Sequence, residues 1–464
     1  MVSASEIYIE TSPGERRAGL LDGDGRAIAI EVERPSRPRL TGAIYLARVR
    51  SIDKRLGAAF LDLGPAGSAL LARAKDLTEG EAILVQISRD AHDDKGPAAL
   101  RQVILWGRYI GLQPGRGNGF QCARSLGQGR NRAMALEAAE AAIADQTDLI
   151  LRAPSWTVEG SVLAAEAAAL RTLWQDIQTA AKSAKAPAEL LPPTDFVTWM
   201  LRDAGPEARI AFDDRLDKAR AEELCAEFYP DLADTLALHS GGKSLFDEAG
   251  LSEVLEETLA PEVPLQGGGR LFIEETRALT AIDVDIGTAE QGGPNATRGP
   301  SKAEAVHRLN RRAAEEIARQ IILRKISGLV VIDFAGIEGR GKMKSLLDVL
   351  RSRLRGAEGH TDVLGITAAG LVEVTRQRIG PSLADLYLSD RAVRRMSPDA
   401  EAAEVLRRAL RLKGAGKPVA DLSQAAADAF KGTMREALKE AETRLGQGIE
   451  LRPGAARIDV RLEK

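Results

Sequence analysis

The stretch LTAIDVDIGTAE, residues 279–290, decides how the second half of this chain is read, together with its near echo GLVVIDFAGIE, residues 328–338. Both are short apolar runs rich in β-branched residues that end at a glycine, and so read as strands. Each carries acid where a core is expected: Asp283 and Asp285 in the first, Asp333 in the second. Between them lies HRLNRRAAEEIARQIILRK, 307–325, with helical spacing of its apolar residues, and after them GRGKMKSLLDVLRSRLRG, 339–356. From 266 the order is therefore strand, strand, Gly/Pro-rich loop (287–300), basic helix (about 302–325), strand (328–335), basic helix (about 341–356), strand. That alternation predicts an α/β domain.

A strand–helix–strand connection of this length can set the two acidic strands side by side. Two carboxylates meeting at a sheet repel and resist burial unless a cation lies between them. A hard divalent ion, Mg²⁺ or Mn²⁺, takes oxygen ligands of this kind, keeps several waters, binds phosphate and activates water. Arg308, Arg311, Arg312, Arg319, Arg324 and Lys325 on the intervening helix fit a polyanion held nearby. Pattern alone leaves a second reading open: acids that end their strands in solvent, and a helix whose cations are balanced by Glu315 and Glu316.

Working outward, residues 5–33 hold two alternating segments, SEIYIET and AIAIEVE, that read as a hairpin or meander. Residues 41–105 hold short strands with Gly, Asp and Pro corners (GAIYLARVRSI, GAAFLDLG, GSALLARA, AILVQISRD), which suggest a small closed barrel. QPGRGNGFQCARSLGQGRNR, 113–132, reads as loop. Two helical patterns follow, separated by the strand-like DLILRAP, and PAELLPPTD marks a boundary. Residues 196–262 are mixed, and the last 65 residues read as two helices and a terminal strand pair. There is no repeat of 20–50 residues.

Bulk properties narrow the class. The 464 residues are 44% hydrophobic and 28% charged with a net charge of −3, so any anionic partner must be met by local basic patches. The two cysteines, Cys122 and Cys225, are far apart, which excludes a disulfide framework and a four-cysteine zinc site within one chain. No secretory signal or apolar stretch of roughly 20 residues is present, and a cytoplasmic protein is expected.

Several of these segments resemble the bacterial ribonuclease E/G family. FIEETRALTAIDVDIG, NRRAAEEIARQIILRKISGLVVIDF and GLVEVTRQRIGPSL look like its catalytic domain. GAIYLARVRSIDKRLGAAFLDLG resembles its RNA-binding OB-type barrel, DDKGPAALRQVILWGRYIGLQPG the segment leaving that barrel, and GQGIELRPGAARIDVRLE the small C-terminal domain of the ribonuclease G branch. The resemblance implies a multidomain α/β protein: a split RNase H-like domain (1–38 and 189–262), an inserted OB-fold barrel (39–106), a 5′-sensor-like domain (107–188), a nuclease-like α/β domain (263–388), and a linker with a small C-terminal α+β domain (389–464). It implies an Mg²⁺-dependent endoribonuclease that cleaves single-stranded RNA, often at A/U-rich sites with a preference for a 5′-monophosphate end, in ribosomal RNA processing and mRNA decay.

Residue by residue, the resemblance makes Asp283 and Asp333 catalytic and metal-holding, with Asp285 at the position of a family asparagine as a third ligand or orienting group. Phe60 and Lys95 would contact RNA in the barrel, and Arg152 would grip the 5′-phosphate. Departures are visible too. A second barrel aromatic is Leu70, a sensor threonine is Ala153, a further acid after Asp333 is Gly336, and an arginine is Ala368. The family's C-x-x-C zinc link is replaced by ADLYLSDRAVRRMSP, so no zinc is expected and any homodimer would form without it. These departures keep a second function in view, an RNA-binding protein of the same fold with reduced or lost cleavage. A phosphatase or nucleotide-processing enzyme built on the same acids is a third, against which the RNA-binding barrel argues.

Overall fold

A computed structural model of the chain describes residues 4–463, apart from 75, 93–94, 118, 124–125, 288–301, 337–339, 356–358 and 391–394. Strands and helices are counted within these residues. The expected loop at 287–300 lies almost wholly outside them.

The chain opens with an antiparallel meander of β1 (Glu6–Ser12), β2 (Glu15–Leu21) and β3 (Ala27–Glu33). A barrel follows: β4 (Ile44–Asp53), β5 (Ala58–Asp62), β6 (Ser68–Ala72), β7 (Ala82–Arg89) and β8 (Ala98–Leu100). Its pairing runs β4-β5-β6-β8-β7 and back to β4, with β6 and β8 parallel. This is the closure of an OB-type barrel. Ala47, Val49, Ala59, Leu61, Leu71, Val85 and Ile87 fill the interior.

Next come β9 (Leu105–Trp106), β10 (Ile110–Leu112), β11 (Gln121–Cys122) and β12 (Leu149–Leu151), one small sheet packed with α1 (Arg130–Ala142) and α2 (Gly160–Ser183). The chain then returns. β13 (Ala188–Leu191) lies along β4. After α3 (Phe196–Asp203), β14 (Arg209–Phe212) pairs in parallel with β1 and, across α4 (Arg215–Glu227), β15 (Leu236–Leu238) pairs with β14. The first meander is thereby completed into a five-stranded sheet by residues some 200 positions later.

Two short helices, α5 (Leu245–Glu248) and α6 (Leu251–Leu259), lead to a six-stranded sheet. It comprises β16 (Glu262–Pro264), β17 (Arg270–Glu275), β18 (Leu279–Asp285), β19 (Gly328–Asp333), β20 (Thr361–Ile366) and β21 (Val372–Arg376), in the order β16-β17-β18-β19-β21-β20. Helices α7 (Lys302–Leu323) and α8 (Arg340–Leu354) connect β18 to β19 and β19 to β20, and both pack on one face, over Ile282, Val284, Val330, Ile332 and Val374. After α9 (Leu383–Tyr387), β22 (Leu388–Asp390) and β23 (Arg395–Met396), the chain ends in α10 (Pro398–Arg411), β24 (Lys417–Leu422), α11 (Gln424–Lys431), α12 (Arg435–Leu445), β25 (Glu450–Pro453) and β26 (Asp459–Glu463). The last two strands do not pair with each other, as the sequence reading had them. They flank β24, one parallel and one antiparallel.

A buried ionic knot joins the two ends of the chain. Glu10 and Glu15 are almost fully buried, as are Arg17, Arg34 and Arg407. Glu10 accepts from Arg17 at 2.8 Å and Arg411 at 2.9 Å, and from the Phe246 backbone N–H at 3.1 Å. Glu15 is held by Arg34 at 2.6 Å and by Arg407. Burial works against the Glu15 charge, but Arg34, Arg407 and Arg17 outweigh it and hold the carboxyl below the usual range. Because removal of one partner strands the others' charge, Arg407→Met is expected to destabilise the fold by roughly 3–5 kcal/mol, read from the urea midpoint.

Asp213, just past β14, behaves oppositely. Burial and the nearby Glu10 charge push its carboxyl up to about 7, against the one backbone bond it accepts, from Thr11 at 2.8 Å. The folded state thus binds a proton that the unfolded chain releases near pH 4, so this contribution is fully present below pH 4 and is lost as pH rises through 7. Asp213→Asn is expected to raise the melting temperature at pH 8 and leave it unchanged at pH 4, as scanning calorimetry will show.

Candidate metal and RNA site

Strand alternation settles where the acids go. In β18, Thr280, Ile282 and Val284 are buried under the helices, and Ala281, Asp283 and Asp285 point to the other face. In β19, Val330 and Ile332 are buried and Asp333 is exposed. The two strands are parallel and in register from Leu279↔Leu329 to Asp283↔Asp333, so the two acids are direct neighbours on the open face. Adjacent strands lie about 4.8 Å apart. At such spacing two carboxylates repel by roughly 1 kcal/mol in bulk water and by more where water is displaced. Neither Asp283 nor Asp333 has an ion pair or hydrogen bond among the described residues. They stand where β18 and β19 end, the edge at which parallel sheets carry their ligands.

Two adjacent, unpaired, solvent-facing carboxylates fit a hard divalent cation that keeps most of its waters. They do not amount to a cage: no group of three or more His, Cys, Asp or Glu residues converges among the described residues. Asp285 is on the same face but is engaged elsewhere. Its Oδ2 lies 3.2 Å from Arg270, which also binds Glu262 at 2.8 Å, and its Oδ1 accepts the Gly287 N–H at 2.9 Å. On the flanks, Phe272 of β17 lies opposite Asp283, and Glu373 of β21 lies beside Val331. Glu373 was missed in the sequence, although alternation in LVEVTR places it on this face.

The basic helix divides by face. Arg319 pairs with Glu316 at 2.7 Å, Lys325 with Glu31, and buried Arg324 donates to Gln320 at 2.6 Å. These three fix α7 to its surroundings. Arg308, Arg311 and Arg312 are exposed, Arg312 donating to the Gln266 carbonyl at 3.3 Å. A cleft of about 520 Å³ opens between β2, β3, α3 and α7, but its lining includes neither Asp283 nor Asp333. The acids lie on an open face.

In the barrel, Phe60 is 42% exposed: Ala59 and Leu61 point inward and the ring points out. Its cross-strand partners are Ser51 and Leu70. Lys95 is exposed in the β7–β8 connection, bridged to His92. Strands two and three of an OB barrel, with its connecting loops, form the usual oligonucleotide face, and these residues occupy it.

Arg152 follows β12, on a different sheet from the acids. Its Nη2 lies 2.7 Å from Asp203 Oδ1, its Nη1 donates to the Gly107 and Arg202 carbonyls, and its guanidinium is 5.5 Å from the Trp106 ring. Arg202 also grips Asp203, at 2.9 Å. Burial opposes the Asp203 charge, yet Arg202 and Arg152 hold it well below the usual carboxylate range. Trp106 can lie flat here because its cross-strand neighbour is Gly111, where an added Cβ would come within 2.6 Å of the ring. Trp106, Arg202 and Asp203 carried no sequence signal, since partners so far apart in the chain leave none. Ala153 begins the turn after Arg152. Ala368 lies exposed in the β20–β21 hairpin, and Gly336 has φ +46 in the turn after β19.

A mixed α/β chain with a closed five-stranded barrel and paired acids on an open sheet face is the class that this geometry defines. The family model for the ribonuclease E/G family matches residues 104–379, and the chain belongs to that family. It is 26% identical to ribonuclease G of Escherichia coli K12, over 96% of each chain. It is 29% identical to ribonuclease E of the same organism, over 81% of this chain and 37% of that protein, and 30% identical to ribonuclease E of Nostoc sp., over 75% of this chain and 52% of that protein. No helix among the described residues is long and apolar enough to cross a membrane.

Because the Phe60 ring lies outside the barrel core, Phe60→Ala is expected to leave the melting temperature within a degree or two. The same change is expected to weaken binding of single-stranded RNA by about 1–3 kcal/mol in fluorescence anisotropy.

Proposed function

We propose that this chain is a metal-dependent endoribonuclease acting on single-stranded RNA, in ribosomal RNA processing and mRNA decay in the cytoplasm. The observation that carries the reading is the in-register pair Asp283 and Asp333, exposed and without a protein cation among the described residues. Membership of the ribonuclease E/G family supports it. Mg²⁺ or Mn²⁺, when bound, would supply an activated water and charge neutralisation at the scissile phosphate. Asp283 and Asp333 would hold it from adjacent strands, and Asp285 would orient the site through its bond to Arg270. Phe60 would stack a base, Lys95 would meet the backbone, and exposed Arg308 and Arg311 would add sequence-independent attraction that weakens with salt. Arg152 would take a 5′-phosphate beside Trp106, sharing its guanidinium with Asp203. A homodimer without a zinc link belongs to the same proposal. The free edge strand β20, with Leu364 and Ile366 exposed, offers it a surface.

One observation favours the second reading, an RNA-binding protein with reduced cleavage: Asp285 is drawn to Arg270 rather than left beside the acid pair. A single experiment separates the two. A fluorescent 5′-monophosphorylated A/U-rich RNA is expected to be cut internally in Mg²⁺, and not in EDTA or by Asp333→Asn. Tight binding without cleavage in Mg²⁺ or Mn²⁺ would leave the second reading standing. With the same RNA, Arg152→Gln is expected to erase any rate difference between 5′-monophosphate and 5′-hydroxyl ends while sparing cleavage of the latter.

A further inference from the structure

How Asp333 is held in place is explained on the other side of the sheet. Asp333 is the last residue of β19, and its two neighbouring strands treat it differently. On the β18 side the ladder reaches Asp283↔Asp333, but on the β21 side it stops one residue earlier, at Ile332↔Val372. Past Ile332 the strand has a partner on one side only. It then leaves the sheet through Phe334, Ala335 and Gly336. Two contacts fix that exit. Phe334 is 5% exposed and anchored in the core under the helices, and Asn310 of α7 donates its Nδ2 to the Ala335 carbonyl at 2.6 Å.

Asn310 is fully buried, and its Oδ1 has no hydrogen-bond partner among the described residues. Burying a half-satisfied amide costs stability that an apolar residue of the same size would not. What only the amide adds is the tether to Ala335, two residues from the Asp333 carboxylate. Since α7 covers the face opposite the acids, Asn310 does not touch the reacting groups.

We infer that Asn310 is a positioning residue for the acid pair. Its tether to Ala335 sets the direction of the Asp333 carboxylate, and with it the affinity for a divalent cation. This rests on the metal-site reading above. Groups that orient a metal ligand from behind commonly carry a 10–100-fold effect on affinity or rate.

The test is a Mn²⁺ titration by electron paramagnetic resonance on the full chain without RNA, alongside RNA cleavage as a function of Mg²⁺. Asn310→Leu is expected to weaken Mn²⁺ binding roughly 10–100-fold. It should raise the Mg²⁺ needed for half-maximal cleavage by a similar factor, leave KM for RNA unchanged, and recover kcat at high Mg²⁺. Asn310→Ala, which also removes the donor to Ala335 without adding bulk or charge, should do the same, and it serves if the leucine variant does not fold. Val330→Ala, a cavity in the buried face of β19, controls for lost stability and should lower the melting temperature without moving the Mn²⁺ affinity. Wild-type Mn²⁺ affinity in the Asn310 variants, or an equal loss in Val330→Ala, overturns the inference while the metal site stands. Failure of the wild type itself to bind Mn²⁺ or to cleave overturns the metal-site reading and this inference with it.

Discussion

The fold depends on a set of charges that have no water to fall back on. Glu10 and Glu15 sit inside the first sheet, where an isolated carboxylate would be prohibitively unfavourable. They are tolerable only because Arg17 and Arg34 come from neighbouring strands and Arg407 from α10 at the far end of the sequence. The same arginines stack on rings, Arg17 at 4.1 Å from Phe246 and Arg34 at 4.8 Å from Tyr387, so each guanidinium plane is also packed. Such a knot contributes less to raw stability than to uniqueness. Apolar residues could fill the space, but they would not specify which helix must dock there.

Around that anchor, two sheets use one device for different ends. Each buries one face and leaves the other to chemistry. In the barrel, alternation sends Ala59 and Leu61 inward and Phe60 out. In the six-stranded sheet it sends Ile282 and Val284 under the helices and Asp283 into solvent. An acid inside an apolar run is therefore no anomaly in the second case. It is the solvent phase of a period-2 pattern, and the apolar residues that surround it in sequence are behind it in space.

How much could be read from the sequence follows from the range of the interactions involved. The placement of Asp283 and Asp333 on strands, the barrel, and the order of elements from 266 to the second basic helix rest on local alternation and helical spacing, and they were legible; the hairpin β20–β21 after that helix read as a single strand. The register that sets Asp283 against Asp333 was not, because it depends on how α7 crosses the sheet. Strand β2 was overlooked because ERRAGLL reads as polar: Glu15 and Arg17 are buried, but their partners include a residue almost 400 positions away. Strand β8 is three residues long, too short for a period to show, and β24 gave no signal that it would separate the last two strands. The Arg152 cluster depended on Asp203, Arg202 and Trp106, which only the tertiary fold assembles.

The split first sheet also has a consequence in time. During synthesis β1 emerges with an unpaired edge, and β14, which covers that edge, follows about 200 residues later. Arg407 appears about 390 residues after Glu15. At ribosomal rates of about 5–20 residues per second, the N-terminal acids wait roughly 20–80 s for their last partner. Through that interval the meander cannot bury Glu10 and Glu15 as it does in the finished chain, so the barrel and the small sheet that follows it are free to form first as local units. A nascent chain cut short before α10 would carry the paired aspartates on their strands yet lack the element that locks the first sheet against the end of the molecule. Emergence of α10 and consolidation of the first sheet are thus the same event.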